Sequence, residues 1–197
     1  MSTAIQQHDH GRPWTFDEVM ALPEDGFRYE LIDGDLIVNP PPAPSHQLLG
    51  HELHYILRDG IQRARSALRI LEGVGIKMPQ GNLLIPDLVI VPTSASRTSA
   101  AALHPGDIQL AVEVVSPRSR AKDRGTKPYM YAEAGIPHFW RIETSNYRGR
   151  TKELPVIIAH ELVALGEYAV KHTVGAGERF MPAEPVPVEF DPAVLVN

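Results

Sequence analysis

Apolar residues recur along this chain with two periods, and the elements follow from where one gives way to the other. Thr15 is placed to cap a short helix from Phe16 to about Leu22, because its hydroxyl can accept an orphan amide and Glu18 completes the capping-box spacing. Pro23 stops that helix. Arg28 to Ile32 and Leu36 to Val38 are joined through Asp33-Gly34-Asp35, the signature of a hairpin with an Asp-Gly turn. The proline-rich stretch from Asn39 to Pro44 cannot pair in a ladder, and Ser45 is the expected cap of the next helix. From His46 to about Ala67, Leu49, Leu53, Ile56, Leu57 and Ile61 fall three and four residues apart, which predicts an amphipathic helix.

The period then shortens. Leu68 to Leu71 and Gly75 to Met78 are short β-runs, while Leu83 to Val91 and Ile108 to Val115 are nearly continuous apolar runs, as in strands buried on both faces. A basic segment leads into a helix ending near Ala134-Gly135, and Pro137 to Ile142 returns as a strand. Leu154 to Leu165 and Tyr168 to Val174 are strand-like, and a proline-spaced tail runs from Pro182 to Val196. Strands and helices are thus interspersed, giving an α/β (α+β) class. The expected organisation is a flexible N-terminus over residues 1–14 and one domain over 15–197, with its core at about 28–143 and a C-terminal β extension from 150.

Composition adds mainly exclusions. The chain has 197 residues, 43% hydrophobic and 22% charged, which suits a globular domain with a sizeable core rather than disorder. It has no cysteine, so disulfides and thiolate zinc sites are excluded and a cytoplasmic setting is expected. Met1 to Trp14 lacks an uninterrupted apolar stretch and no later run is long enough to span a bilayer, so neither export nor membrane insertion is expected. A formal net charge of -5 argues against coating nucleic acid by bulk electrostatics, though not against an acidic site flanked by local basic groups.

Two carboxylates stand out because burying an ionised group is costly without compensation. Asp87 interrupts Leu83 to Val91, and Glu113 interrupts Leu110 to Val115. If these strands are neighbours, about 4.8 Å apart, both carboxylates can reach one hard divalent cation such as Mg²⁺. For either acid alone, the plain alternative is a salt bridge to arginine or a strand end that reaches solvent. The segment after Glu113, with Arg118, Arg120, Lys122 and Arg124, could hold phosphate oxygens or could be only a solvated basic loop. His51 and His54 lack the spacing of a metalloprotease site and read as a polar helix face, and neither a phosphate loop nor a serine-hydrolase elbow occurs.

The blocks "RYELIDGDLI", "IPDLVIV", "AVEVVSPRSRAKD" and "KPYMYAEAGIPHFWRIE", together with His46 at a helix start and the ending "VEFDPAVL", occur in an order that resembles the Uma-type restriction endonuclease family of the PD-(D/E)XK nuclease superfamily. The resemblance covers about Phe16 to Glu143. It implies a restriction-endonuclease-like core, with a mixed β-sheet flanked by helices and extra terminal strands. It also implies Mg²⁺-dependent (or Mn²⁺-dependent) hydrolysis of DNA, with Asp87 and Glu113 as metal ligands and Glu30 and His46 as assisting residues. Val115 stands where the superfamily's lysine usually follows the glutamate. Lys127 is the candidate replacement, on one helical face with Asp123 and Tyr131. Pro128 disfavours helical geometry there, which leaves Lys122 in reserve. The alternative function is a non-catalytic nucleic-acid-binding or assembly module that keeps the fold, and exposed sheet edges would allow a homodimer.

Overall fold

The computed structural model describes residues 11–196, so most of the N-terminal stretch expected to be flexible lies outside the described residues. In chain order the elements are α1 (Phe16–Met20), β1 (Arg28–Ile32), β2 (Asp35–Asn39), α2 (Pro44–Arg63), β3 (Leu68–Glu72), β4 (Ile76–Lys77), β5 (Leu83–Leu84), β6 (Leu88–Pro92), β7 (Leu110–Val115), α3 (Lys127–Glu133), β8 (His138–Glu143), β9 (Val156–Ala164) and β10 (Glu167–Val174). The main sheet has six strands in the order β10-β9-β8-β7-β6-β3, and a smaller sheet has the order β2-β1-β5-β4. Among the described residues only the β7–β8 pair in the main sheet is parallel, so the sheet is mixed.

Both faces of the main sheet are covered. On one, Leu49, Leu53, Leu57 and Ile61 of α2 pack on Leu88, Ile90, Leu110, Val112, Trp140 and Ile142, with the tail closing over them through Phe180 and Val186. On the other, Tyr131 of α3 and Ile32, Ile76 and Leu84 of the small sheet pack on Val89, Val91, Ala111 and Phe139. The alternation along β7 therefore sends Val112 and Val114 towards α2 and Glu113 towards α3. Among the described residues no helix is long and apolar enough to cross a membrane.

Local chemistry accounts for most boundaries. The Thr15–Glu18 capping box is present on both sides, although the helix stops at Met20. Asp33 (φ 51) and Gly34 (φ 86) make the hairpin turn with two positive dihedrals, the twist that matches paired strands.

Two expectations need correction. Ser45 does not cap α2. The helix opens two residues earlier, on Pro44, whose fixed φ suits the first turn and whose missing N–H needs no partner, and Ala43 caps without a side-chain bond. Leu83 to Val91 is not one strand. Leu83–Leu84 pairs in the small sheet and Leu88–Pro92 in the main one, because Pro86 cannot donate to a ladder and the Ile85 N–H turns to the Glu30 carboxylate at 2.9 Å. The chain crosses between the sheets at Asp87.

Candidate active site

Asp87 sits where the β6–β7 ladder runs out. Its N–H still donates to Val112 O at 3.1 Å, but the next β7 amide, Val114 N–H, is met by Asp87 Oδ2 at 2.9 Å instead of by a backbone carbonyl. His46, on the first turn of α2, brings Nε2 to 3.3 Å from the same oxygen and 3.2 Å from Val114 O. Both neighbours are acceptors, so Nε2 carries the proton. Arg28 approaches Asp87 Oδ1 at 3.5 Å. Burial works to raise the Asp87 pKa, but the His46 hydrogen bond and charge and the Val114 N–H outweigh it and hold the group below the ordinary Asp value. The hydrogen bond to Asp87 raises the His46 pKa in turn. A cleft of about 60 Å³ lined by Arg28, His46, Glu72 and Asp87 opens this oxygen set to a few waters. The larger hollow of about 800 Å³, between the end of α2 and the tail around Phe190, includes none of these carboxylates.

On β7, one residue beyond the last ladder pair Leu88–Val112, Glu113 points into the space beneath α3. Lys127 Nζ donates to Glu113 Oε1 at 2.9 Å, and the Tyr131 hydroxyl donates to the same oxygen at 2.6 Å. Both bonds converge on one oxygen and leave Oε2 for another partner. Lys127 also lies 2.9 Å from Glu30 Oε1 and 3.7 Å from Asp123 Oδ1, and its side chain is only 5% exposed. Pro128 does not keep it away, because residues Lys122–Thr126 form a π-helical turn that feeds directly into α3 with the proline in its first turn. That wide turn, of a kind often found at functional sites, brings Asp123, Lys127 and Tyr131 onto the face that meets Glu113. Lys122 is half-buried nearby and none of these short contacts is its own.

Glu30 is the most fully bonded of the acids. Oε1 accepts from Ile85 N–H and faces Lys127, and Oε2 accepts from Asn39 at 2.9 Å. It holds the lysine and ties α3 to the small sheet. Asp123 is the opposite case. Its side chain is 1% exposed, neither oxygen meets a donor in hydrogen-bond geometry, and the Lys127 charge and the nearby Ser119 hydroxyl only partly compensate its burial. Burial pushes its pKa up to about 6. Burial, with Asp123, Asp87 and Glu30 as further negative neighbours, also drives Glu113 well above the ordinary Glu value against the pull of Lys127. The same carboxylates hold the Lys127 pKa above its ordinary value despite burial.

Three buried carboxylates, Glu30, Glu113 and Asp123, thus face one ammonium, leaving two negative charges if all are ionised. A divalent cation would neutralise that surplus, and the all-oxygen donor set suits a hard ion. Among the described residues no three His, Asp or Glu side chains form a ready-made metal cage. Mg²⁺ does not need one, since it keeps several waters and is held by one or two carboxylates together with phosphate oxygens. Asp87 Oδ1, just before β6, and Glu113 Oε2, on β7, are the oxygens with capacity left.

Of the basic residues, Arg118 and Arg120 are exposed. Arg124 is committed to Glu143 through Nε at 2.9 Å and Nη2 at 2.7 Å. His51 and His54 face Glu72 on β3, the latter at 2.5 Å. Residue-type reasoning picked out Asp87, Glu113, Lys127, Glu30 and His46, and these lie together. It passed over Arg28 and the unbonded state of Asp123. One signal for Arg28 was available: it alternates with Glu30 on β1, so both leave the same face.

A family model described as "Uma2: Putative restriction endonuclease" matches residues 16–194. The crystal structure of "a putative nuclease belonging to DUF820" from Anabaena variabilis ATCC 29413 superposes with a TM-score of 0.67 at 17% identity, covering 93% of this chain and 98% of that one. At that identity the likeness is one of fold, a restriction-endonuclease-like core with a mixed sheet between helices and added terminal strands. No curated protein matches the chain.

Proposed function

The chain belongs to the Uma2 family, and we propose that it is a Mg²⁺- or Mn²⁺-dependent endonuclease that hydrolyses phosphodiester bonds of DNA at Asp87, Glu113 and Lys127. The observation that carries this reading is Lys127, a buried ammonium delivered by α3 to 2.9 Å from Glu113 although Val115 occupies the usual lysine position. Asp87 and Glu113 are the residues to hold the cation, which supplies Lewis acidity at the phosphate and lowers the pKa of water. Lys127 offers positive charge to the oxygens on which negative charge develops, and Glu30 positions that lysine. His46 and the Val114 N–H fix the Asp87 carboxylate. Water adds to phosphorus, the P–O bond to one sugar breaks, and the departing oxygen takes a proton.

The test is cleavage of supercoiled, linear duplex and single-stranded DNA in Mg²⁺ or Mn²⁺ against an EDTA control. Cutting is expected only with metal, and Glu113→Gln and Lys127→Met are each expected to lower the rate about a hundredfold or more. Cutting that survives EDTA or Glu113→Gln would sink the reading. A second reading, a non-catalytic DNA-binding module, draws on the fact that three carboxylates, Glu30, Glu113 and Asp123, already surround the Lys127 ammonium. It predicts binding with no cutting in either metal.

A further inference from the structure

A positive cluster lies beside the carboxylates at the same end of the sheet. Arg141 on β8 is the register partner of Glu113 on β7, so the two side chains leave the same face of the sheet. Two residues on, Glu143 is fully buried, and the Arg124 fork occupies both of its oxygens at 2.9 and 2.7 Å. Arg141 reaches only 3.1 Å from Glu143 Oε1, through a buried Nε that makes no hydrogen bond. The Arg124 guanidinium also lies 5.6 Å from the centre of the Tyr147 ring. Arg150 lies close by: its backbone N–H donates to Tyr147 O at 3.3 Å, its guanidinium donates to Lys152 O, and Tyr147 lies within electrostatic reach of all three arginines.

Two guanidinium groups, Arg124 and Arg141, share one carboxylate and leave one positive charge uncompensated, with Arg150 a third beside Tyr147, in a chain whose formal net charge is -5. Composition does not account for that concentration. Desolvating arginine beyond what Glu143 can neutralise is costly, and an arriving anion would offset it. Guanidinium forks match phosphate oxygens in shape and charge. The carboxylate cluster next door carries the opposite surplus, so a phosphodiester chain passing this end of β7 and β8 would meet a cation site on one side and guanidinium groups on the other.

We propose that Arg141 and Arg150, flanking Tyr147, form a phosphate-binding subsite for the DNA strand adjacent to the Asp87–Glu113 site. The assignment of the anion to DNA rests on the nuclease reading, but the subsite is tested by binding and not by cutting. The experiment measures fluorescence anisotropy of labelled single-stranded and duplex DNA with the full chain in EDTA, across a NaCl series. Removing one arginine–phosphate pair is expected to lower the slope of log affinity against log salt by about 1 and to weaken binding about tenfold at moderate salt. Arg141→Gln and Arg150→Gln should each do so. Arg69→Gln, an exposed arginine on the far edge strand β3, changes net charge equally and should leave the slope as it was. Thermal melts verify folding, and Arg150, on the loop after β8, keeps the test open should Arg141→Gln misfold. Wild-type slopes in both variants would overturn the subsite and leave the nuclease reading intact. Slopes lowered in both, in a protein that never cuts DNA, would uphold the subsite and remove the nuclease. A wild-type chain that binds no DNA would overturn both.

Discussion

Replacing Asp123 with asparagine measures the cost of the carboxylate surplus around Lys127. The side chain is 1% exposed and neither oxygen has a hydrogen-bond partner. Its pKa is pushed up to about 6, mainly by burial, against about 3.9 in an unfolded chain. A native acid with a raised pKa takes up its proton before the unfolded chain does. The stability it contributes is therefore present below the unfolded pKa and is lost as pH rises through the folded one, here between about pH 4 and pH 6. At roughly 1.36 kcal/mol for each pH unit, the fully ionised group costs about 3 kcal/mol. Asparagine has nearly the same shape and never ionises. Its unpartnered amide imposes a cost of about 1–3 kcal/mol, but equally at every pH, so the readout is the slope and not the offset. Removing the Asp123 charge also eases ionisation of Glu113, which acts in the same direction. Urea unfolding of both proteins in EDTA, from about pH 4 to pH 8, should show the variant gaining about 3 kcal/mol relative to wild type as pH rises to about 7. In thermal melts that corresponds to roughly 6–12 °C for a chain of this size. A stability difference that stays flat from pH 4 to pH 7, or that moves against the variant, would refute the buried charge surplus and with it the electrostatic case for a cation.

Two further predictions concern the residues around that cluster and the packing of α2. Because the Asp87 hydrogen bond is the main cause of the raised His46 pKa, the imidazole should titrate at lower pH in Asp87→Asn, as read by NMR; an unmoved titration would dissolve the pair. The stability His46 adds should be present below about pH 6.5 and fade as pH rises through its raised folded pKa. Gly60→Ala should lower the unfolding free energy in urea by about 1–3 kcal/mol with the m-value unchanged, because a Cβ there would lie 2.6 Å from Val188 Cγ1 and 2.9 Å from Pro187 O, where α2 meets the tail. A wild-type midpoint would contradict that packing.

Asp87 and Glu113 were readable because a single acid in an apolar run needs compensation, and that holds whatever the fold. Lys127 was readable only in outline. Its four-residue spacing to Asp123 and Tyr131 announced a shared face, but Pro128 made the helix doubtful, and the π-helical turn that reconciles them is not visible in a propensity pattern. Glu30 was legible as a site residue, yet not as the acceptor that holds both Asn39 of β2 and the Ile85 N–H just after β5. Arg124 looked available for phosphate because its partner, Glu143, lies 19 residues away on another element.

Sequence by itself determined the elements, the turn at Asp33-Gly34, the apolar stripe of α2 and the acids that could not be left alone in a core. These depend on neighbours a few positions away, where backbone geometry and side-chain period decide the outcome. Tertiary structure decided which sheet each half of Leu83 to Val91 joins, that Asp87 meets His46 and the Val114 N–H where the β6–β7 ladder ends, and that Lys127 is shared among three carboxylates while the Arg141 Nε is buried without a hydrogen bond. Those outcomes depend on strand register and on pairs of residues up to 68 positions apart, as His46 and Val114 are, and a slip of one residue in register would turn the strand side chains among them to the other face.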